Sequence, residues 1–204
     1  MIPVALTMHP LILASGSPRR IELFRSVGLD PVVRPSSYEE TVPFPMKPAD
    51  RAMFFAMGKA LDIRTASKEQ DAIIVGADTI VVYQDRIMEK PVDKADGMQM
   101  LMALSGQTHQ VITGICMADQ SGRLTRCFYE TSDVTFCRYT EEEMDAYLDT
   151  DEAYDKAGGY GIQGTFQRYV SGVRGDIDNI IGFPLARFLE ESKLYETILK
   201  NGRL

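Results

Sequence analysis

The stretch Ala72-Ile73-Ile74-Val75-Gly76-Ala77-Asp78-Thr79-Ile80-Val81-Val82 constrains the fold of this chain more than any other. It is apolar throughout apart from a polar pair near its middle, which fits a strand buried on both faces better than an amphipathic one. Asp78 is the chemical anomaly within it. A carboxylate in so apolar a run has to find partners or shift its pKa upward, and either outcome suits a base or a metal ligand. The plainer alternative is a carboxylate capping a turn between two strands. On either side, helix and strand patterns alternate with no repeat and no low-complexity linker. A chain of 204 residues with 45% hydrophobic content can bury a sizeable core, as one domain or at most two small ones.

The second informative stretch is "ASGSPRRIELF", Ala14–Phe24. Leu11–Ala14 reads as a short buried strand, Ser17 as the N-cap and Pro18 as the first residue of a helix with Ile21, Phe24 and Val27 on one face and Gly28 at its end. Arg19 and Arg20 then fall in the first turn, where the helix already presents partial positive charge and each cation is disfavoured by roughly 0.3–1 kcal/mol. A bound anion reverses that sign. The arrangement suits phosphate oxygens, met by backbone N–H groups and guanidiniums. The alternative is a pair of solvated arginines on a surface helix. Neither GxxxxGK[ST] nor GxGxxG surrounds the stretch, so no P-loop or dinucleotide motif is indicated.

Elsewhere the patterns predict a loop over Tyr38–Pro48, then a helix over Ala49–Arg64 with Ala52, Phe55, Ala56, Lys59 and Ala60 at helical spacing. A further helix over Met98–Leu104 closes near Gly106, and strands are expected at His109–Met117 and Asp133–Tyr139. The spacing of Thr140 and Glu143 is a capping box, which reads the acidic run there as a helix start and not as a metal site. The glycine-rich Gly158–Gly164 precedes the last strands and a helix over Pro184–Leu194. Gln163 within it offers one amide donor and one acceptor, the complement of a uracil or thymine edge; an exposed side chain on a flexible hairpin is the alternative. Lys59 and Lys90, in Glu89-Lys90-Pro91, matter only if they converge on Asp78. His109 is read as structural.

A net charge of −7 argues against a broad nucleic-acid-binding face, so any basic site is local. Cys116, Cys127 and Cys137 lack CxxC spacing, and the only histidines are His9 and His109, which supports neither a disulfide framework nor a zinc site and suits a reducing cytoplasm. No apolar segment reaches the roughly 20 residues that span a bilayer.

Taken together these stretches resemble the Maf family of nucleoside triphosphate pyrophosphatases. The resemblance rests on "LASGSPRR" at Leu13–Arg20, "GADTIV" at Gly76–Val81, "EKP" at Glu89–Pro91, "LSGQTHQVITG" at Leu104–Gly114, "DKAGGYGIQG" at Asp155–Gly164 and "GFPL" at Gly182–Leu185. "ADT" and "YGIQG" are similar to the branch that cleaves dTTP and UTP. The resemblance implies one domain over 1–204, with a mixed α/β fold, a mixed sheet with flanking helices and a deep substrate cleft, like the inosine triphosphate pyrophosphatases. By position, Asp78 matches the proton acceptor. Arg20, Thr79 and Gln163 match base-selecting positions, and Ser15, Arg19, Lys59 and Lys90 match phosphate-contacting ones. Glu40, with Asp78, matches the side of a divalent metal, Mg²⁺ or Mn²⁺, although neighbouring Glu39 is open for that part. Phe166 stands where the family often has glycine, so its bulk is expected to bear on the base pocket. The implied partner is a small-molecule nucleoside triphosphate, with modified pyrimidines open as substrates and a homodimer as an option; no nucleic-acid polymer and no membrane are implied. A nucleotide-sensing regulator of cell division with little turnover is the alternative function.

Overall fold

In the computed structural model, which describes residues 2–66, 71–120 and 125–201, the apolar run is strand β3 (Ile73–Tyr83). It is buried along its length except at the half-buried Thr79 and Tyr83. It lies within a mixed seven-stranded sheet of order β2-β1-β3-β5-β6-β7, with β4 also paired to β3. The other strands are β1 (Leu11–Leu13), β2 (Val32–Val33), β4 (Arg86–Met88), β5 (Thr108–Asp119), β6 (Thr125–Phe136) and β7 (Val170–Arg174). Helices α1 (Ala5–Met8), α2 (Pro18–Ser26), α3 (Pro48–Ala66), α4 (Lys94–Leu104), α5 (Glu141–Leu148), α6 (Ile177–Ile181) and α7 (Leu185–Asn201) complete the α/β architecture. The chain divides into two compact units, one made of residues 1–78, 113–130 and 182–204, the other of residues 79–112 and 131–181.

In the first unit β1 runs parallel to both β2 and β3, with Ile12 opposite Val32 and Ile74. Strand alternation then sorts the side chains into two layers. Leu11, Leu13, Ile73, Val75, Ile115 and Met117 join Phe24 of α2 and Phe188 of α7 in one cluster. Ile12, Ile74, Cys116 and Ala118 join Ala56, Ala60 and Ile63 of α3 in the other. Burial on both faces is therefore real, and it explains the absence of polar alternation in β3. The Ala52, Ala56 and Ala60 stripe lets α3 lie directly on backbone. A Cβ at Gly76 would stand 2.0 Å from the Ala56 carbonyl oxygen, and one at Gly114 would stand 2.3 Å from the Ala52 carbonyl carbon. Helix α2 ends as expected. Gly28 has φ of 80°, and the Gly28 and Leu29 N–H groups return to the Arg25 and Phe24 carbonyls, closing a Schellman motif.

The second unit packs β4, α4, α5 and β7 around an aromatic cluster that includes Phe136, Tyr139, Tyr147, Tyr160, Phe166 and Tyr169. The capping box of α5 is present in both directions. The Thr140 hydroxyl accepts from the Glu143 N–H at 3.2 Å, and the Glu143 carboxylate accepts from the Thr140 N–H at 2.8 Å. The strand expected over Asp133–Tyr139 is displaced. Strand β6 begins at Thr125 and stops at Phe136, because the Cys137 N–H turns to the Tyr169 carbonyl and the Tyr139 N–H to the Ser105 hydroxyl.

Candidate active site

Asp78 shares the face of β3 that carries Ile74 and Gly76, the face covered by α3. Close approach of α3 at Gly76 sets Lys59, the residue before Ala60, within reach of it. The Lys59 Nζ stands 2.6 Å from Asp78 Oδ1 and 2.7 Å from Glu40 Oε1. The Lys59 and Asp78 side chains are only 15% and 10% exposed, while that of Glu40 is 48% exposed, so the pair is buried and the third member opens to water. Burial raises the pKa of Asp78 above its ordinary value, opposed by the Lys59 charge and hydrogen bond. Of the two neighbouring glutamates, Glu40 is the one joined to this cation.

The opening of α2 supplies the adjoining cations. Ser17 occupies the N-cap position with an extended backbone, yet its side chain makes no capping bond. Ser15 organises the turn instead. Its Oγ accepts from the Ser17 N–H at 3.3 Å and from Arg20 Nη1 at 3.0 Å. Arg20 Nε donates to the Gly182 carbonyl at 2.8 Å, tying the first turn of α2 to the "GFPL" segment. Burial lowers the pKa of the Arg20 guanidinium, with the Asp78 carboxylate opposing and the charge of neighbouring Arg19 reinforcing the effect. Ser15, Arg20, Glu40, Lys59 and Asp78 thus form one electrostatically linked group, with Arg19 beside it.

The remaining candidates lie in the second unit. Thr79 follows Asp78 on β3, half-buried and on the opposite face by strand alternation. The segments bearing Lys90 and Gln163 are brought together: the Gly158 N–H donates to the Glu89 carbonyl at 2.9 Å. Gly158 and Gly159 have φ of 71° and 74°, conformations that favour glycine. A Cβ at Gly159 would press on Pro91 at 3.0 Å. Both Lys90 and Gln163 are exposed.

The family model described as "Maf-like protein" matches residues 10–193, nearly the whole chain. The chain belongs to the Maf family. A dTTP/UTP pyrophosphatase of Bacillus cytotoxicus is 43% identical over 190 residues, 93% of this chain and 97% of that protein. One of Bacillus anthracis is 43% identical over 92% of this chain and 96% of its own length. A crystal structure of a nucleoside-triphosphatase / dITP/XTP pyrophosphatase from Mycobacterium abscessus aligns with 64% of this chain and 75% of that one, at 14% identity and a TM-score of 0.37.

For a Maf family member the donor set bears on the metal. Among the described residues no three or more His, Cys, Asp or Glu side chains gather into a metal-holding group. Glu40 and Asp78 instead converge as two carboxylates on one cation, Lys59 Nζ. That chemistry fits Mg²⁺ or Mn²⁺ held by one or two carboxylates together with substrate phosphates and water, not an all-protein cage. Phe166 is fully buried, with ring centroids 4.9 Å from Tyr147 and 5.1 Å from both Phe136 and Tyr169, so its bulk fills the aromatic core of the second unit. One contributor escaped sequence reasoning: the Gly182 carbonyl acts through its backbone, which no residue type signals.

Proposed function

We propose that this chain is a nucleoside triphosphate pyrophosphatase that converts dTTP and UTP to the nucleoside monophosphate and pyrophosphate. Relatives that share 43% identity over nearly its whole length carry that activity in their names. The observation that carries the reading is the buried Asp78, made more basic by burial and joined through Lys59 to Glu40. A raised pKa makes a carboxylate a better proton acceptor near neutral pH. Asp78 orients a water and takes its proton as the water oxygen bonds to the α-phosphorus and the bond from that phosphorus to the bridging oxygen breaks. Pyrophosphate departs with that oxygen and its electron pair.

Arg19, Arg20, Lys59 and Lys90 balance the negative charge that collects on the leaving group, and Ser15 steadies the Arg20 fork. Arg20 is preorganised for this task, since its Nε is already held by Gly182. A Mg²⁺ or Mn²⁺ ion held by Glu40 and Asp78 would neutralise phosphate charge and polarise the α-phosphate. Gln163, exposed on the glycine segment with Thr79 assisting, reads the pyrimidine edge. The free thiols of Cys116, Cys127 and Cys137 suit a cytoplasmic setting. Among the described residues, no helix is long and apolar enough to cross a membrane.

A triphosphate panel with product identification tests the reaction: release of orthophosphate in place of pyrophosphate would overturn it. Gln163→Leu tests the base. Leaving the donor and acceptor of a bound pyrimidine unpaired should lower kcat/KM for dTTP and UTP by roughly tenfold or more, with ATP changing little. An equal fall for all three nucleotides would remove Gln163 from base selection.

A further inference from the structure

Residues 34–47, between β2 and α3, form neither helix nor strand, yet they deliver Glu40 to Lys59. Nothing in the composition of this loop explains how a half-exposed carboxylate keeps its place. The fixing points lie on α3. Oδ2 of Asp62 accepts from the Ser36 hydroxyl at 2.6 Å, the Ser37 N–H at 2.9 Å and the Ser37 hydroxyl at 3.4 Å. The Ser36 hydroxyl accepts in turn from the Tyr38 N–H at 3.0 Å. These bonds, that from Ser36 foremost, hold the Asp62 carboxyl below the usual carboxylate range. The Tyr38 ring then lies over Gly58, where an added Cβ would stand 2.4 Å from Cζ, and it faces Phe55 at a centroid distance of 6.5 Å.

Phe55, Gly58, Lys59 and Asp62 follow the i, i+3, i+4, i+7 spacing of a single helix face. The serine pair, Tyr38 and Glu40 therefore attach in succession to one stripe of α3. We propose that this stripe sets the register of the acidic loop, with Asp62 and Gly58 as positioning residues that hold Glu40 beside Lys59 and Asp78 and so tune the affinity for the divalent ion. The inference rests on the metal-side role given to Glu40 above. Asp62 itself touches neither substrate nor ion. Its carboxylate accepts from three donors at once, and Asp62→Asn forfeits the charge that strengthens those bonds. Gly58→Ala disturbs the same loop by a different route, pushing on the Tyr38 ring without changing any charge.

The experiment measures binding as well as turnover. Mn²⁺ is titrated into the full chain with a non-hydrolysable α,β-methylene pyrimidine triphosphate, and free Mn²⁺ is read by electron paramagnetic resonance. Asp62→Asn is expected to raise the Mn²⁺ midpoint roughly tenfold, about the size of weakening one charge-assisted bond, and Gly58→Ala, which displaces the Tyr38 ring and with it the loop, is expected to raise it in the same direction by roughly as much. The same shift should appear in the Mn²⁺ dependence of dTTP turnover, with kcat at saturating Mn²⁺ within about twofold of wild type. Ser36→Thr keeps the hydroxyl and should keep the midpoint. In a Glu40→Gln background Asp62→Asn should shift nothing further, because its effect travels through Glu40. A lowered Tm with an unmoved Mn²⁺ midpoint in both variants overturns the inference and leaves the stripe purely structural. A wild-type chain whose turnover ignores Mn²⁺ and Mg²⁺ overturns the metal reading as well.

Discussion

Asp78 and His109 are both nearly sealed from water, 7% and 2% exposed, yet their surroundings treat charge in opposite ways. Around Asp78 the first unit sets a cation at 2.6 Å and adds the field of Arg20, so the cost of burying a carboxylate is offset by counter-charge. The second unit wraps His109 in rings, with Phe136 and Tyr160 at centroid distances of 4.7 and 5.3 Å. Its Nε2 bonds to the Tyr160 hydroxyl at 2.6 Å, and its Nδ1 has no hydrogen-bond partner among the described residues. Burial pushes its pKa down to about 4, opposed by the Asp133 carboxylate. One region is built to keep charge and exchange partners for it. The other is built to exclude charge, and its polar groups serve packing.

The sharpest way to break this comparison is to remove the charge at Asp78. Asp78→Asn keeps the shape and deletes the proton acceptor, and kcat for dTTP should fall by on the order of 10²–10⁴. The fold should hold, because Lys59 Nζ keeps Glu40 at 2.7 Å. Thermal melts and single-turnover rates together check both halves, and near-normal turnover would take Asp78 out of its role. The second unit should respond the other way round. Phe166→Ala empties the centre of the aromatic cluster and should cost about 3–5 kcal/mol of unfolding free energy. Turnover per folded molecule should fall far less than in Asp78→Asn. Urea unfolding and active-site titration of the folded fraction decide it.

The same contrast explains what was legible in the sequence. Burial of β3 on both faces left a direct mark, an unbroken apolar run, and the one carboxylate in it was conspicuous for that reason. The capping box at Thr140 and the proline start of α2 were equally plain, since both depend on residues a few positions apart. Longer-range contacts left weaker marks. That Lys59 reaches Asp78 depends on α3 resting on Gly76, a contact between segments that spacing along the chain does not encode. Asp62 and the Gly182 carbonyl act on residues 25 and 162 positions away, through groups whose types are common on any helix or turn. Strand β6 was misplaced because its burial alternates only over its last residues, from Ser132 to Phe136, whereas the mixed, largely half-buried first half carried no period to detect.

The smallest effect expected here isolates His109. In the folded chain the imidazole stays neutral until the pH nears 4, whereas in the unfolded chain it titrates near 6.5. Between those values the unfolded state binds a proton that the folded state refuses, so stability must fall as the pH falls. The contribution is fully present above pH 6.5 and fully lost below about 4. Two and a half pKa units correspond to roughly 3 kcal/mol across that window, spread over its whole width. His109→Gln removes the titration, so its unfolding free energy should decline less steeply than that of wild type between pH 6.5 and 4, whatever its absolute stability at neutral pH. Comparing slopes and not midpoints separates the proton from the lost Tyr160 contact. Parallel curves for the two proteins would mean that His109 carries its charge inside the aromatic cluster, and the opposition between the two regions would then fail at the residue that defines it.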